Sequence, residues 1–208
     1  MKNAKIVKNE TSQAIVETVL TSQELVLSAL DVRLSNADNN AAREYFNGLK
    51  RDFTSITQTQ INVLESLDLD FSALAEQIKL DKASNTFIAQ KAIKKVFETM
   101  RALASNSSSY LDKYTFSIVK NLNTLQKLDN LNMQRSICSK IELDLLAQEQ
   151  AIKVYHNCSP STASTQASST RMMLQFLNVC NVQKGLKSDA ISFTGSQTSL
   201  VMQALFKA

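Results

Sequence analysis

Across 208 residues the chain has only three glycines and one proline. Tight turns consume these residues, because Gly supplies positive φ and Pro a preset φ. A sheet-rich chain of this length needs many such turns. A chain that lacks them is built from few, long elements, and the simplest reading is all-α. The one proline, Pro160, lies in "HNCSPSTASTQASSTR" (His156–Arg171), a stretch dominated by Ser and Thr. Proline cannot continue a helix, and it pushes the residue before it out of the α region. Short hydroxyl side chains compete for backbone hydrogen bonds and bury little. Residues 157–170 therefore read as a linker. It divides a helical body, 1–156, from an apolar helical tail, 171–208.

Within the body, apolar residues recur at helical spacing. Ile15, Val19, Val26, Leu30 and Leu34 share a broad face, and Thr21 with Glu24 has the spacing of a capping box that splits the segment. Asn36–Asn40 is a break rich in good N-caps. The clearest stripe is Ala42, Phe46, Leu49, Phe53, Ile56, Gln60, Val63 and Leu67, alternating steps of four and three. Its flanks carry few complementary charges, which favours a helix packed in a bundle over a two-stranded coiled coil. A short helix is expected over 71–80 and another over 85–104, the latter on Ala89, Ile93, Val96, Met100 and Leu103. Ser109 with Asp112 then has capping-box spacing. From Tyr110 to Tyr155 no Gly or Pro intervenes. Unbroken, that helix is roughly 70 Å long at ~1.5 Å per residue, with Leu128–Asn132 as the place for a kink. The expected architecture is an elongated helical bundle with one long helix and a short C-terminal helical appendage.

Several motifs carry candidate chemistry. His156 and Cys158 form an H-x-C pair, but a nucleophilic Cys needs a base and an orienting group, and a metal needs more N or S ligands. A surface helix terminus is the preferred reading. Asp68 and Asp70 can hold a hard cation or cap the following helix, and capping is preferred. No P-loop, G-x-G-x-x-G, H-E-x-x-H or G-x-S-x-G is present. Lys91, Lys94, Lys95 and Arg101 lie opposite the Ile93–Val96–Met100 stripe, and Lys113, Lys120 and Lys127 recur every seven residues. They read as solvated faces, or as attraction to an acidic partner or to phosphates. Cys138, Cys158 and Cys180 are widely spaced, so no disulfide framework is expected and a reducing interior is.

The tail invites two readings. Met172, Met173, Phe176, Leu177, Leu200, Val201, Leu205 and Phe206 form an apolar set that must be buried somewhere, and docking on a partner is favoured. Gly185 sits where a helix C-cap would be. Alternatively, Ile191, Gly195 and Val201 have the relative spacing of a helix-turn-helix. Its second helix would start near Ser196 and present Gln197, Thr198, Gln203 and Lys207.

The net charge of +4 is mild and neither demands nor excludes nucleic acid. No apolar run suits a membrane span, and the N-terminus lacks the apolar stretch of a signal peptide, so a cytoplasmic protein is expected. The expected function is non-enzymatic, with no cofactor or small-molecule substrate: a helical scaffold, assembly or adaptor protein that binds a protein partner and self-associates. A viral or mobile-element particle is a setting of that kind. The second reading is a DNA-binding regulator with a helical oligomerisation body.

Overall fold

The computed structural model describes residues 20–79, 86–142, 152–185 and 189–207. The upstream part of the first apolar face, including Ile15 and Val19, lies outside the described residues, as does Leu80. Helix α1 (Ser22–Ser35) starts at the expected capping box, with Glu24 N–H donating to Thr21 Oγ1 at 3.3 Å and Thr21 N–H to Glu24 Oε2 at 2.8 Å. The Thr21 N–H and hydroxyl hold the Glu24 carboxyl below its ordinary range. Helix α2 (Asn40–Thr54) is capped by Asn39, whose Oδ1 accepts from Ala42 N at 2.9 Å. Helix α3 (Gln58–Ser66) starts from a second capping box, Thr57 with Gln60.

That second box breaks the long stripe. Phe46, Leu49 and Phe53 are buried on α2, and Ile56 is buried in the turn. On α3 the buried places pass to Ile61 and Leu64, while Val63 is half-buried and Leu67 closes the helix. Gln60 sits in the stripe because it caps. One continuous coiled-coil-like helix over 42–67 is thereby corrected to two.

Helix α4 (Phe71–Lys79) is capped by Asp70, which accepts from Ala73 N at 2.8 Å, and it packs along α1. Helix α5 (Thr86–Ala104) meets α2 and α3. The Phe53 and Phe97 rings lie 5.1 Å apart, and Tyr45 donates its hydroxyl to Gln90 O at 2.6 Å. Burial raises the Tyr45 phenol above its ordinary pKa.

The long helix is not there. After a 3-10 turn at Ser108–Tyr110, helix α6 (Lys113–Leu125) opens on Asp112, whose Oδ1 accepts from Tyr114 N and Thr115 N at 3.0 and 3.2 Å. It stops at Gln126, which adopts a left-handed φ of 63°. Strand β1 (Lys127–Asp129) and helix α7 (Asn130–Arg135) follow. The breakers are side chains that compete for the backbone. Thr124 donates to Lys120 O, Gln126 donates to Asn123 O, and Asp129 caps α7 through Asn132 N at 2.8 Å. The stretch expected to kink, Leu128–Asn132, is the joint between strand and helix. Residues 143–151 lie outside the described set, and 152–159 are non-helical. The expected elongation rested on this helix.

The Ser/Thr stretch is not a linker. Helix α8 (Pro160–Phe176) runs straight through it, with Ser159 as N-cap residue and Pro160 in the first turn. Proline starts this helix instead of ending one, since its missing N–H costs nothing there. Ala163, Ala167, Thr170 and Leu174, at i, i+4, i+7 and i+11, are all buried. The helix packs on α5, α6 and α7.

Beyond it come strand β2 (Cys180–Gln183), strand β3 (Ala190–Phe193) and helix α9 (Gln197–Ala204). The strands pair antiparallel in the order β1-β3-β2, with Ile191 opposite Leu128 on one side and Val182 on the other. Gly185 thus follows a strand and caps no helix. The fold is mostly helical with this small three-stranded sheet. One hydrophobic cluster runs from Val26 to Met202, so the tail is part of the core it was expected to leave.

A polar chain crosses that core. Lys95 of α5 donates to Asp112 Oδ2 at 2.6 Å and to Thr115 Oγ1 at 3.0 Å, and Thr115 meets Thr170 of α8, hydroxyl to hydroxyl, at 3.2 Å. Burial pushes the Lys95 ammonium pKa down, with the Asp112 charge opposing. Burial alone would raise the Asp112 carboxyl, but the Lys95 charge and hydrogen bonds from Lys95 and Thr115 carry it below its ordinary range.

Asp112→Asn keeps a capping oxygen but strands the Lys95 charge, and is expected to cost about 3–5 kcal/mol in urea unfolding, with Lys95→Met/Asp112→Asn recovering most of it. A depressed carboxyl stabilises above its unfolded pKa, about 3.9, and loses that contribution as pH falls through the lower folded value. The gap between wild type and Asp112→Asn is therefore expected to be full near neutrality and to close below about pH 4. Glu98, raised chiefly by burial and next by the Asp112 charge, works in the opposite sense, so both proteins are compared in a Glu98→Gln background.

Truncation after Ser159 removes Met173, Leu174, Leu177, Val179, Ile191 and Met202 from full burial. At about 1.5–3 kcal/mol each, their loss matches a typical whole-domain stability of about 5–15 kcal/mol. The truncated body is expected to lose its cooperative thermal transition by circular dichroism.

Candidate functional site

Helix α6 buries Ile118, Asn121 and Leu122, and turns Lys113, Phe116 and Lys120, at i, i+3 and i+7, toward one outer face. The segment 152–158 lies against this helix. Asn121 Nδ2 donates to Lys153 O at 2.7 Å, Lys153 N donates back to Asn121 Oδ1 at 2.9 Å, and His156 N donates to Ser117 Oγ at 3.1 Å. Further on, Cys158 N donates to Ile137 O at 2.7 Å, and Asn157 exchanges bonds with Ser139. Ile152 is buried, which leaves Lys153, Tyr155 and His156 exposed.

These parts converge on Phe116. The rings of Tyr155 and His156 stand edge-on to it at 6.1 and 6.0 Å. Phe206, in the turn after α9, supports it from a third direction at 5.2 Å. The Lys120 ammonium lies 5.4 Å from the Phe116 ring centre and 4.7 Å from that of Tyr155. Lys113 is close enough to Cys158 to favour its thiolate, though burial and the neighbouring Cys138 raise that thiol overall. Helix α6, residues 152–158 and residues 197–207 contain no Asp or Glu. Among the described residues, Lys113, Lys120, Lys153 and Lys207 form no ion pair.

The face continues past the start of α6 into a cavity of about 310 Å³, lined by Lys91, Lys94, Lys95, Glu98, Asp112, Lys113, Tyr114 and Gln166. Two carboxylates share it: Asp112 holds Lys95, and the Glu98 carboxyl, pushed up chiefly by burial, feels the Lys94 and Lys95 charges. Among the described residues, the ammonium groups of Lys113, Lys120, Lys153 and Lys207 have no ion-pair partner, and the Tyr155 and His156 rings beside them are exposed.

Many of the residues singled out from sequence fall elsewhere. Met173 and Leu177 of the tail are fully buried, Phe176, Val201, Leu205 and Phe206 pack against the core, and Met172 is half-buried. Only Leu200 stands out, 50% exposed. This set closes the chain's own core, which corrects the reading of a free arm. The helix-turn-helix is corrected too. Ile191 lies in strand β3, so the first helix is missing, although α9 does begin behind Ser196 and Gly195 does turn, at φ 80°. Thr198 is buried and donates to Leu67 O at 2.8 Å, and Gln203 is half-buried. Gln197 and Lys207 are exposed, and Lys207 alone adjoins the face, beside Phe206. Lys95 is buried, Arg101 bonds to Asp52 O and Ser55 Oγ, and Lys127 sits on β1. Lys113 and Lys120 of the lysine repeat belong to the face, as do His156 and Phe206, and Lys91 and Lys94 line the adjoining cavity.

Tyr155 and His156 were missed because the first was read as helix and the second as a helix end. The absence of acidic residues from three separate segments was the available signal. The described cysteines are free, and burial pushes the Cys180 thiol up to about 12. Among the described residues no group of three His, Cys, Asp or Glu is placed to hold a metal ion, and no helix is long and apolar enough to cross a membrane. No protein-family model matches the chain, and neither the curated proteins nor the solved structures give a match.

Asn121 is the clamp of this site. Asn121→Ala leaves the Lys153 N–H and C=O without partners, a loss of about 1–3 kcal/mol. The Lys153 amide is expected to exchange its hydrogen about tenfold faster or more, with the buried amides of α6 unchanged.

Proposed function

We propose that this chain is a non-enzymatic scaffold or adaptor that works by laying its basic face on a polyanionic partner. The observation that carries the reading is that Lys120 stands against the Phe116 and Tyr155 rings, on three packed segments that carry Lys113, Lys120, Lys153 and Lys207 and no Asp or Glu. A solvated surface ordinarily mixes signs. Here Asp112 is bound to buried Lys95, which leaves the lysines of these segments to set the local potential on a chain whose net charge is only +4. Of the regulator reading, the nucleic-acid partner remains open while its helix pair does not. Assembly into a larger particle, with self-association, fits the same scaffold role.

The test is elution from an immobilised polyanion. Lys113→Gln/Lys120→Gln/Lys153→Gln is expected to elute at clearly lower salt than wild type, and Arg43→Gln/Arg51→Gln on α2 close to it. Sizing the native complex with and without nuclease then reads the partner class. Equal elution of the triple variant and wild type sinks the proposal.

A further inference from the structure

A purely electrostatic partner needs lysines, not rings. Yet the centre of this face is aromatic: Tyr155 and His156 are both exposed and both braced edge-on against Phe116. Lys120 lies over one face of the Tyr155 ring, so a flat group stacks on the other. Phe116 is itself fixed by Phe206 behind it, so the rings are held and little freedom is lost when something stacks on them. Lys120 holds its charge against the Tyr155 ring, within reach of a phosphate flanking any flat group stacked there.

Resting on the polyanion-binding reading above, we infer that this face is a binding site for single-stranded nucleic acid, with unpaired bases stacking on Tyr155 and His156 and their phosphates held by Lys113, Lys120 and Lys153. Sequence-tolerant single-strand sites combine these two elements, a basic track and aromatic platforms. Duplex recognition has no use for the rings, because paired bases keep their faces inside the stack. It needs an element that enters a groove, and α9, the helix proposed for that role from sequence, has Thr198 tied to Leu67. An acidic protein surface would satisfy the lysines but offers nothing flat to Tyr155 and His156.

The experiment uses the full chain and three labelled probes: a short oligothymidylate, the matching thymidine–adenosine duplex, and polyglutamate. The single strand is expected to bind most tightly and to quench tyrosine emission, which is readable because the chain has no tryptophan. Tyr155→Leu is expected to weaken single-strand binding at least about fivefold, with Tyr155→Phe close to wild type. Neither change should alter the slope of affinity against salt, whereas Lys120→Gln should lower it by about 0.7. Thermal unfolding of each variant checks that the fold is kept, and the Phe variant answers for any loss of packing in the Leu variant. Tighter binding to the duplex or to polyglutamate overturns the inference, and so does a Tyr155→Leu protein that binds as wild type. If Tyr155→Leu is silent while the lysine variants weaken every probe, only the stacking site falls. If the lysine variants are silent as well, the polyanion reading falls with it.

Discussion

The structure depends on one helix of small residues lying against another. Helix α8 carries Ala163, Ala167 and Thr170 where most core helices carry Leu or Ile, and these short side chains let it sit against α5 with full burial. It also touches α4, α6, α7 and β2. Its own apolar mass is modest, so its contribution is geometric: it fills a narrow central place that a bulkier helix could not enter. Dispersion forces reward such close approach even where few methylenes are removed from water.

The Lys95–Asp112–Thr115–Thr170 chain lies at this junction and shows how the interior and the exterior are linked. Asp112 serves as N-cap of α6 and as counter-charge for Lys95 at once. A carboxylate occupied inward in this way cannot neutralise the lysines outside. The acid-poor face is therefore partly a product of how the core satisfies its own buried cation, and the fold and the surface potential share a residue.

Much of the N-terminal half was legible because its signals are local. The Thr21–Glu24 box, the Asn39 cap, the Asp70 cap and the α5 stripe each depend on residues three or four apart. The later half misleads for a single reason: a chain poor in Gly and Pro still breaks its helices, and a proline can begin one. Helix α6 stops on Gln126 without either, through side chains that bond their own backbone. Helix α8 begins on the one proline. The strands were illegible because β1 and β3 are each too short to show a period, and their pairing partners lie far away in sequence. Lys113 and Lys120 were visible as a repeat. The aromatic half of the face was not, since Phe116, Tyr155, His156 and Phe206 come together only through the bonds of Asn121 and the docking of the last helix.

The order β1-β3-β2 puts the last-made strand in the middle. On a ribosome, β1 and α5 are finished while β3 and α8, which pack on them, are still unmade. About sixty residues separate β1 from its partner, a wait of roughly 3–12 seconds at ~5–20 residues per second. For that interval Leu128, destined for burial, lacks its strand partner Ile191. The nascent chain passes through a sticky stage that the finished one conceals, and its yield in a cell is governed by what shelters it during those seconds as much as by the stability it finally attains.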